Sequence, residues 1–328
     1  MPMTDRFARA LWLEPPYACA LHREPLPERA AGQLLVRSRY SAVSRGTETL
    51  VFSGAVPESE YARMRAPFQA GSLPGPVKHG YANIGVVEDG PEDWLGREVF
   101  CLYPHQTRYV VDADAVVALP ADVPAARAVL AANMETAVNA LWDAGIGVGD
   151  RVSVVGAGVI GALIAGLAAG IPGTQVELID IDPAKTALAQ ALGVAFQRPD
   201  TASIDRDVVV HASASSAGLD TAIALAGFEA TVLEMSWYGA APVTVGLGGA
   251  FHSQRLTLRS SQVGAVSPSR RTRRDHGSRL ALAVSLLADA RFDALFEAED
   301  AAFDDLPSVM HRLASPSDNS LCQRIRYD

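Results

Sequence analysis

The feature that most constrains this chain is an alternation that begins at residue 151. "RVSVVGAG" reads as an apolar strand and "VIGALIAGLAAG" as an apolar helix. The pattern then recurs as "QVELID" and "PAKTALAQALG", "DVVVHAS" and "GLDTAIALA", and ends on "EATVLEMSW". Strands that are apolar along their whole length, each followed by a helix, bury both faces in a parallel sheet covered on two sides. The expected class is therefore α/β, with a doubly wound parallel sheet. The first 125 residues differ: "QLLVRSRYSAV", "ANIGVVEDG", "REVFCLY" and "TRYVVDADAVVAL" are short strands separated by Gly, Pro and Asp turns. Between the two regions "PAARAVLAANMETAVNALWDAG" has helical spacing and closes on Gly145 and Gly147. A last helix, "SRLALAVSLLADA", precedes a tail too small to form a core alone. The expected boundaries are 1–133 for a β-rich domain, 134–264 for the parallel-sheet domain, and 265–328 for a segment returning to the first.

With 328 residues and 49% apolar composition the chain can bury a large core, consistent with about two domains. A net charge of −9 argues against nucleic acid or an anionic membrane as the main partner. The one basic run, "SRRTRR" at 269–274, reads as a solvated loop. Cys19, Cys101 and Cys322 are too far apart in sequence for a disulfide framework or a four-cysteine zinc cluster. "MPMTDRFARALWLE" has no signal-peptide core, and the most apolar run carries five glycines without interfacial anchors, so a cytoplasmic location is expected.

Gly156-Ala157-Gly158-Val159-Ile160-Gly161 lies between the first apolar strand and its helix. In that context Gly156 permits a tight turn, Gly158 lets the backbone approach a pyrophosphate, and Gly161 lets helix and strand pack closely. Backbone N–H groups of the first helical turn, at Val159 and Ile160, would face the phosphates. Asp180 ends the next strand 19 residues after Gly161, where a carboxylate can accept from the adenosine ribose hydroxyls. Such a carboxylate repels a 2′-phosphate and no arginine follows within several residues, which favours NAD(H) over NADP(H). Lys185 and Thr136 complete the expected cofactor contacts, Thr136 in a positional role.

The order of elements, with "SRGTETLVFSG", "GYANIGVV", "GDRVSVVGAGVIG" and "LIDIDPAKTALAQALG", resembles the medium-chain dehydrogenase/reductase superfamily over almost the whole chain. The resemblance is to zinc-independent branches, including bacteriochlorophyllide-a dehydrogenase-type proteins. It implies a GroES-like β-rich catalytic domain, a Rossmann domain, and a small-molecule substrate in the cleft between them. Zinc members hold the metal with a Cys, a His-Glu pair and a later Cys or Glu. By motif these positions carry Arg45, Tyr81-Ala82 and about Ala132, and the loop that holds a structural zinc is missing. The chain is therefore expected to hold no metal, since catalytic zinc needs about three protein ligands. Cys101 and His105 lack neighbours in sequence that would build a replacement site.

Without zinc, another group must donate to a carbonyl or take a proton from an alcohol. The resemblance puts Thr47 at the family's proton-relay hydroxyl, and Tyr81 and Arg45 at two former ligand positions. The expected assignment is Tyr81 as proton donor or acceptor, Arg45 as a cation favouring its ionised form, and Thr47 as relay. Blander readings stand beside it: Arg45 paired with Glu48 or Glu135, Tyr81 as packing, Thr47 as a brace for the turn. His79 and His105 are further candidate acids. His211 reads as a satisfied or rim histidine, with nucleotide contact as the alternative. Phe68, Trp142, Trp237 and Tyr238 hint at an aromatic-lined cleft or at core. The expected activity is a zinc-independent, NAD(H)-dependent alcohol dehydrogenase or carbonyl reductase. An enone or quinone reductase and a non-catalytic nucleotide sensor are the alternatives. An apolar segment at the end of the parallel sheet, "APVTVGLGGAFHSQRLTLRSS", predicts a homodimer paired through sheet edges.

Overall fold

The computed structural model describes residues 6–328, so the first five residues of the stretch read above for a signal sequence lie outside it. The chain divides into two compact units, one running up to Ala132 and resuming at Phe296–Asp328, the other comprising Asn133–Leu295. The return therefore begins at Phe296, not at residue 265. The reason is packing. Arg279, on the helix His276–Leu286, is buried and donates to Glu135 at 3.0 Å and to Asn139 at 2.7 Å. That ion pair ties the helix to Ala131–Ala144 of the second unit.

The second unit holds a six-stranded sheet in which every neighbouring pair is parallel. Its order is Ala195–Gln197, Gln175–Ile179, Arg151–Val155, Arg206–His211, Ala226–Glu234, Thr257–Ser260. In chain order this is 3-2-1-4-5-6, the doubly wound arrangement whose crevice opens at the carboxyl ends of the first and fourth strands. The central strands are apolar on both faces because helices cover both: Val152, Val154, Leu178, Ile179, Val209 and Val210 are buried.

In the first unit the long strand Gln33–Ala42 pairs antiparallel with Asn83–Asp89, with Arg108–Asp112 and with the C-terminal strand Arg324–Arg326. The last pairing, Arg324 to Ala42, zips the returning segment onto the N-terminal sheet. A separate hairpin, Phe7–Leu13 with Cys19–Pro25, is absent from the sequence-based expectation. Most of "SRGTETLVFSG" forms the helix Arg45–Phe52, in which Glu48 turns back to accept the Ser44 N–H at 2.8 Å and thereby fixes the first turn. Phe52 packs edge-on against His311 of the helix Leu306–Leu313, with ring centroids 5.1 Å apart.

Replacing Arg279 by Met removes one partner of a buried pair and strands the Glu135 carboxylate. Denaturant unfolding should show a loss of about 3–5 kcal/mol. A change below about 1 kcal/mol would mean that the pair does not hold the helix.

Candidate active and cofactor sites

In the first unit the site is built around Glu48, which is fully buried. Burial alone would raise its pKa. The charge and hydrogen bond of His105, the nearby His79 and the Ser44 N–H together outweigh that and hold it below the usual carboxylate range. Its Oε2 lies 2.9 Å from His105 Nε2, which must carry the shared hydrogen. The chain continues inward: His105 Nδ1 lies 2.8 Å from Ser41 Oγ, and Ser41 Oγ lies 3.0 Å from the Tyr327 hydroxyl. Strand Gln33–Ala42 positions Ser41, the first helical turn positions Glu48, and the C-terminal strand region brings in Tyr327.

Tyr81 stands beside this carboxylate. Burial first, and then the Glu48 charge, push its phenol pKa upward; the nearby Ser44 and Thr47 hydroxyls partly oppose this. Thr47 thus lies near the Tyr81 phenol. Arg45 is not brought to Tyr81. Its guanidinium donates to the Leu313 carbonyl at 3.3 Å and the Ser320 carbonyl at 3.4 Å, on the returning segment. The charge acting on Tyr81 is negative, so the expected tuning toward phenolate is replaced by its opposite. The simple pairings fail too, since Glu48 engages His105 and Glu135 engages Arg279.

His79 is buried beside Tyr81, with ring centroids 5.9 Å apart. Its Nδ1 lies 3.1 Å from Gln69 Oε1, and its Nε2 is buried without a partner among the described residues. Burial lowers its pKa against the opposing pull of Glu48. Cys101 packs in an apolar cluster with Sγ 3.5 Å from the Ala115 carbonyl, while His105 is committed to Glu48 and Ser41. Phe68 stacks on Tyr103 at 5.1 Å. Among the described residues no group of three or more His, Cys, Asp or Glu is arranged to hold a metal ion.

The second unit contains the glycine turn. Gly156 has φ +109°, and a Cβ there would lie 2.7 Å from the Ala212 and Ser213 backbone. A Cβ on Gly161 would lie 1.9 Å from the Gly156 carbonyl oxygen, so helix Val159–Ala168 can seat on its strand only with glycine. Gly158 differs: it caps that helix, no side chain satisfies the first turn, and a Cβ there would meet open space. The N–H groups at Val159 and Ile160 therefore begin a helix whose N-terminal end offers donors and positive potential to an anion. Asp180 accepts the Ala157 N–H at 2.8 Å and the Asp182 N–H at 2.9 Å, so it braces the glycine turn with lone pairs to spare. Lys185 ends the short turn Pro183–Lys185, and Thr136 lies on Ala131–Ala144. Arg198 enters from the neighbouring strand's end, with Nη1 3.5 Å from the Ile181 carbonyl and Nε 3.7 Å from Asp200. Separation in sequence hid its proximity.

At the end of the fourth strand, His211 is buried and fully engaged. Nδ1 lies 2.7 Å from Glu234 Oε2 and Nε2 lies 2.7 Å from Ser213 Oγ, while the Tyr238 hydroxyl donates to Glu234 at 2.9 Å. This is a satisfied histidine.

No family model matches the sequence. No curated protein matches it either. Solved structures do match. A candidate zinc-binding dehydrogenase of Sinorhizobium meliloti 1021 bound to NADP has a TM-score of 0.77 at 16% identity, over 98% of this chain and 100% of its own. An alcohol dehydrogenase of Escherichia coli CFT073 complexed with NADH also has 0.77, at 14% identity and the same coverage. L-idonate 5-dehydrogenase of Escherichia coli K-12 reaches 0.79 at 15% identity, over 98% of both chains. The chain has the fold of the medium-chain dehydrogenases.

The two perturbed groups make stability pH-dependent with a defined sign. His79 has a folded pKa below its ordinary 6.5, so the unfolded chain takes up a proton that the native state refuses. Its contribution is full above 6.5 and is lost as the pH falls below that value. Glu48, also depressed, contributes fully above 4.5 and loses that contribution as the pH falls through its folded pKa. The urea midpoint should therefore fall on acidification from about pH 7 to pH 5, and His79→Gln should flatten that part of the curve. An unchanged slope in the variant would show that His79 titrates normally.

Proposed function

We propose that this protein is a zinc-independent, NAD(H)-dependent oxidoreductase that reduces a carbonyl or oxidises the corresponding alcohol of a small molecule. The observation that carries this reading is Tyr81, a protonated phenol at a position where zinc members of the family place a metal ligand. The Ser44 and Thr47 hydroxyls lie near its oxygen, and the buried carboxylate of Glu48 acts on it by its charge. The donor set does not fit catalytic zinc. Arg45 is a cation bonded to carbonyls, Tyr81 resists ionisation, and Ala132 has no donor side chain.

The second unit fits a dinucleotide. Gly158 leaves room at the helix N-terminus, Gly156 and Gly161 admit no side chain, and Asp180 fixes the turn. The nicotinamide, when bound, supplies or accepts the hydride. Asp180 supports NAD(H) over NADP(H), because a carboxylate repels a 2′-phosphate and Arg198 is already engaged by Asp200 and the Ile181 carbonyl.

The proton is the task of Tyr81. In this reading the Tyr81 O–H donates to a substrate oxygen, with the Ser44 and Thr47 hydroxyls nearby. As hydride reaches the carbonyl carbon, negative charge grows on that oxygen, and Glu48 makes a free alkoxide unfavourable there. Proton transfer from Tyr81 neutralises that oxygen and leaves the negative charge on the phenol oxygen, near the Ser44 and Thr47 hydroxyls, until Tyr81 is reprotonated. Arg45 keeps a positioning role: it links the first helical turn, which carries Thr47 and Glu48, to the returning segment.

Tyr81→Phe keeps the ring and removes the proton. Turnover should fall by about 10²–10⁴-fold with NADH affinity nearly unchanged, and chelators should leave wild-type turnover intact. Normal turnover in the variant would move the proton role elsewhere, and chelator-sensitive activity would restore a metal mechanism.

The homodimer belongs to the same proposal. Thr257–Ser260 is an edge strand of the parallel sheet and is exposed along its length. An unpaired edge of this kind favours a two-fold partner. Light scattering at micromolar concentration should give twice the chain mass, and Leu258→Lys should shift it toward the monomer; a monomeric wild type would sink the idea.

A further inference from the structure

The basic run at 269–274 is exposed, as a solvated loop would be, yet it is not an ordinary charged surface. Arg270, Arg271, Arg273 and Arg274 have no ion-pair or hydrogen-bond partner for their guanidinium groups among the described residues. This stands out in a chain of net charge −9, where arginines elsewhere are widely paired. The nearest acid in sequence, Asp275, is occupied: it caps helix His276–Leu286 by accepting the Ser278 N–H at 2.7 Å. The four cations are also held in a fixed turn. Arg270 and Arg271 donate backbone N–H groups to Ser267 O at 2.9 and 3.0 Å, and Arg273 and Arg274 donate to Arg270 O at 2.9 and 3.0 Å.

A cavity adjoins this turn. It is a half-open cleft of about 490 Å³ within the second unit, and Leu141, Trp142, Ile171, Leu282 and Leu286 supply apolar walls. Arg270 lines it too, so the cation cluster begins at the cavity itself. The turn is tied to the wall, since the Ser269 hydroxyl donates to the Trp142 carbonyl at 3.1 Å. The volume lies within the ~300–1,000 Å³ of small-molecule sites, which are largely apolar with a few placed polar groups.

We infer that this cavity and turn form a second binding site, for a soluble single-chain amphiphile with a phosphate head. The alkyl chain would fill the space between Leu141, Ile171, Leu282 and Leu286. The head would meet Arg270 and its neighbours, whose planar forks match phosphate oxygens in pairs. Charge complementarity selects the anion, and a cleft of about 490 Å³ has room for a single chain rather than a bilayer surface. The site shares none of the residues assigned above to Tyr81 chemistry or to the glycine turn.

The probe is dodecyl phosphate below its micelle concentration, with binding read from Trp142 fluorescence and checked by calorimetry. Saturable one-to-one binding is expected, more than about tenfold tighter than that of dodecanol or inorganic phosphate, the scale of one charge-assisted hydrogen bond. The double variant Arg270→Glu, Arg271→Glu should weaken binding by more than about tenfold while NADH affinity and the melting temperature stay unchanged. Ile171→Trp, which fills the cavity, should weaken it through the other half of the ligand. The inference is overturned by non-saturable binding, by dodecyltrimethylammonium binding as well as dodecyl phosphate, or by indifference to the arginine variant. Preference for phosphatidylglycerol vesicles over the monomeric amphiphile would also overturn it.

Discussion

The first unit's site depends on one buried carboxylate. Glu48 is fully enclosed yet remains ionised, because His105, the Ser44 N–H and the field of His79 offset the cost of removing its charge from water. Each of those partners is thereby fixed. The Ser44 contact starts the helix Arg45–Phe52, the His105 contact reaches Ser41 and Tyr327, and the charge adds to burial in holding the Tyr81 phenol pKa up. A carboxylate this enclosed is destabilised sharply by loss of a partner, so the cluster is rigid as well as polar.

This arrangement changes the sense of the chemistry. A cation beside Tyr81 would favour phenolate and therefore a base suited to alcohol oxidation. Burial and an anion there favour the phenol, which can donate a hydrogen bond. Thr47 and Ser44 complete the site from two positions flanking Arg45, within one helical turn.

The second unit contrasts with it. There the arrangement is made by missing side chains: Gly156 and Gly161 allow backbone contacts that any Cβ would block. Asp180 accepts two backbone N–H groups and holds the turn in shape. Preorganisation of this kind lowers the cost of ordering a loop around a bound pyrophosphate.

The parallel sheet and the glycine turn were legible in the sequence, because apolar runs, helical spacing and glycine positions are local properties that nearest neighbours enforce. Motif position singled out Tyr81 and Thr47 as candidates, but what sits around them was not legible. Glu48, His105, Ser41 and Tyr327 are as many as 286 residues apart, and only sheet pairing between Gln33–Ala42 and the C-terminal strand brings that segment to the site. Arg45 shows the same limit: sequence placed it beside Tyr81, but its side chain follows the carbonyls of Leu313 and Ser320. The segment 265–295 was assigned to the wrong unit for a like reason, since nothing local marks that Arg279 is the buried partner of Glu135. Sequence by itself determined the alternating strands and helices of the parallel sheet and its glycine turn; long-range packing decided which groups are buried and which charges meet, and burial with those charges sets how Tyr81 holds its proton.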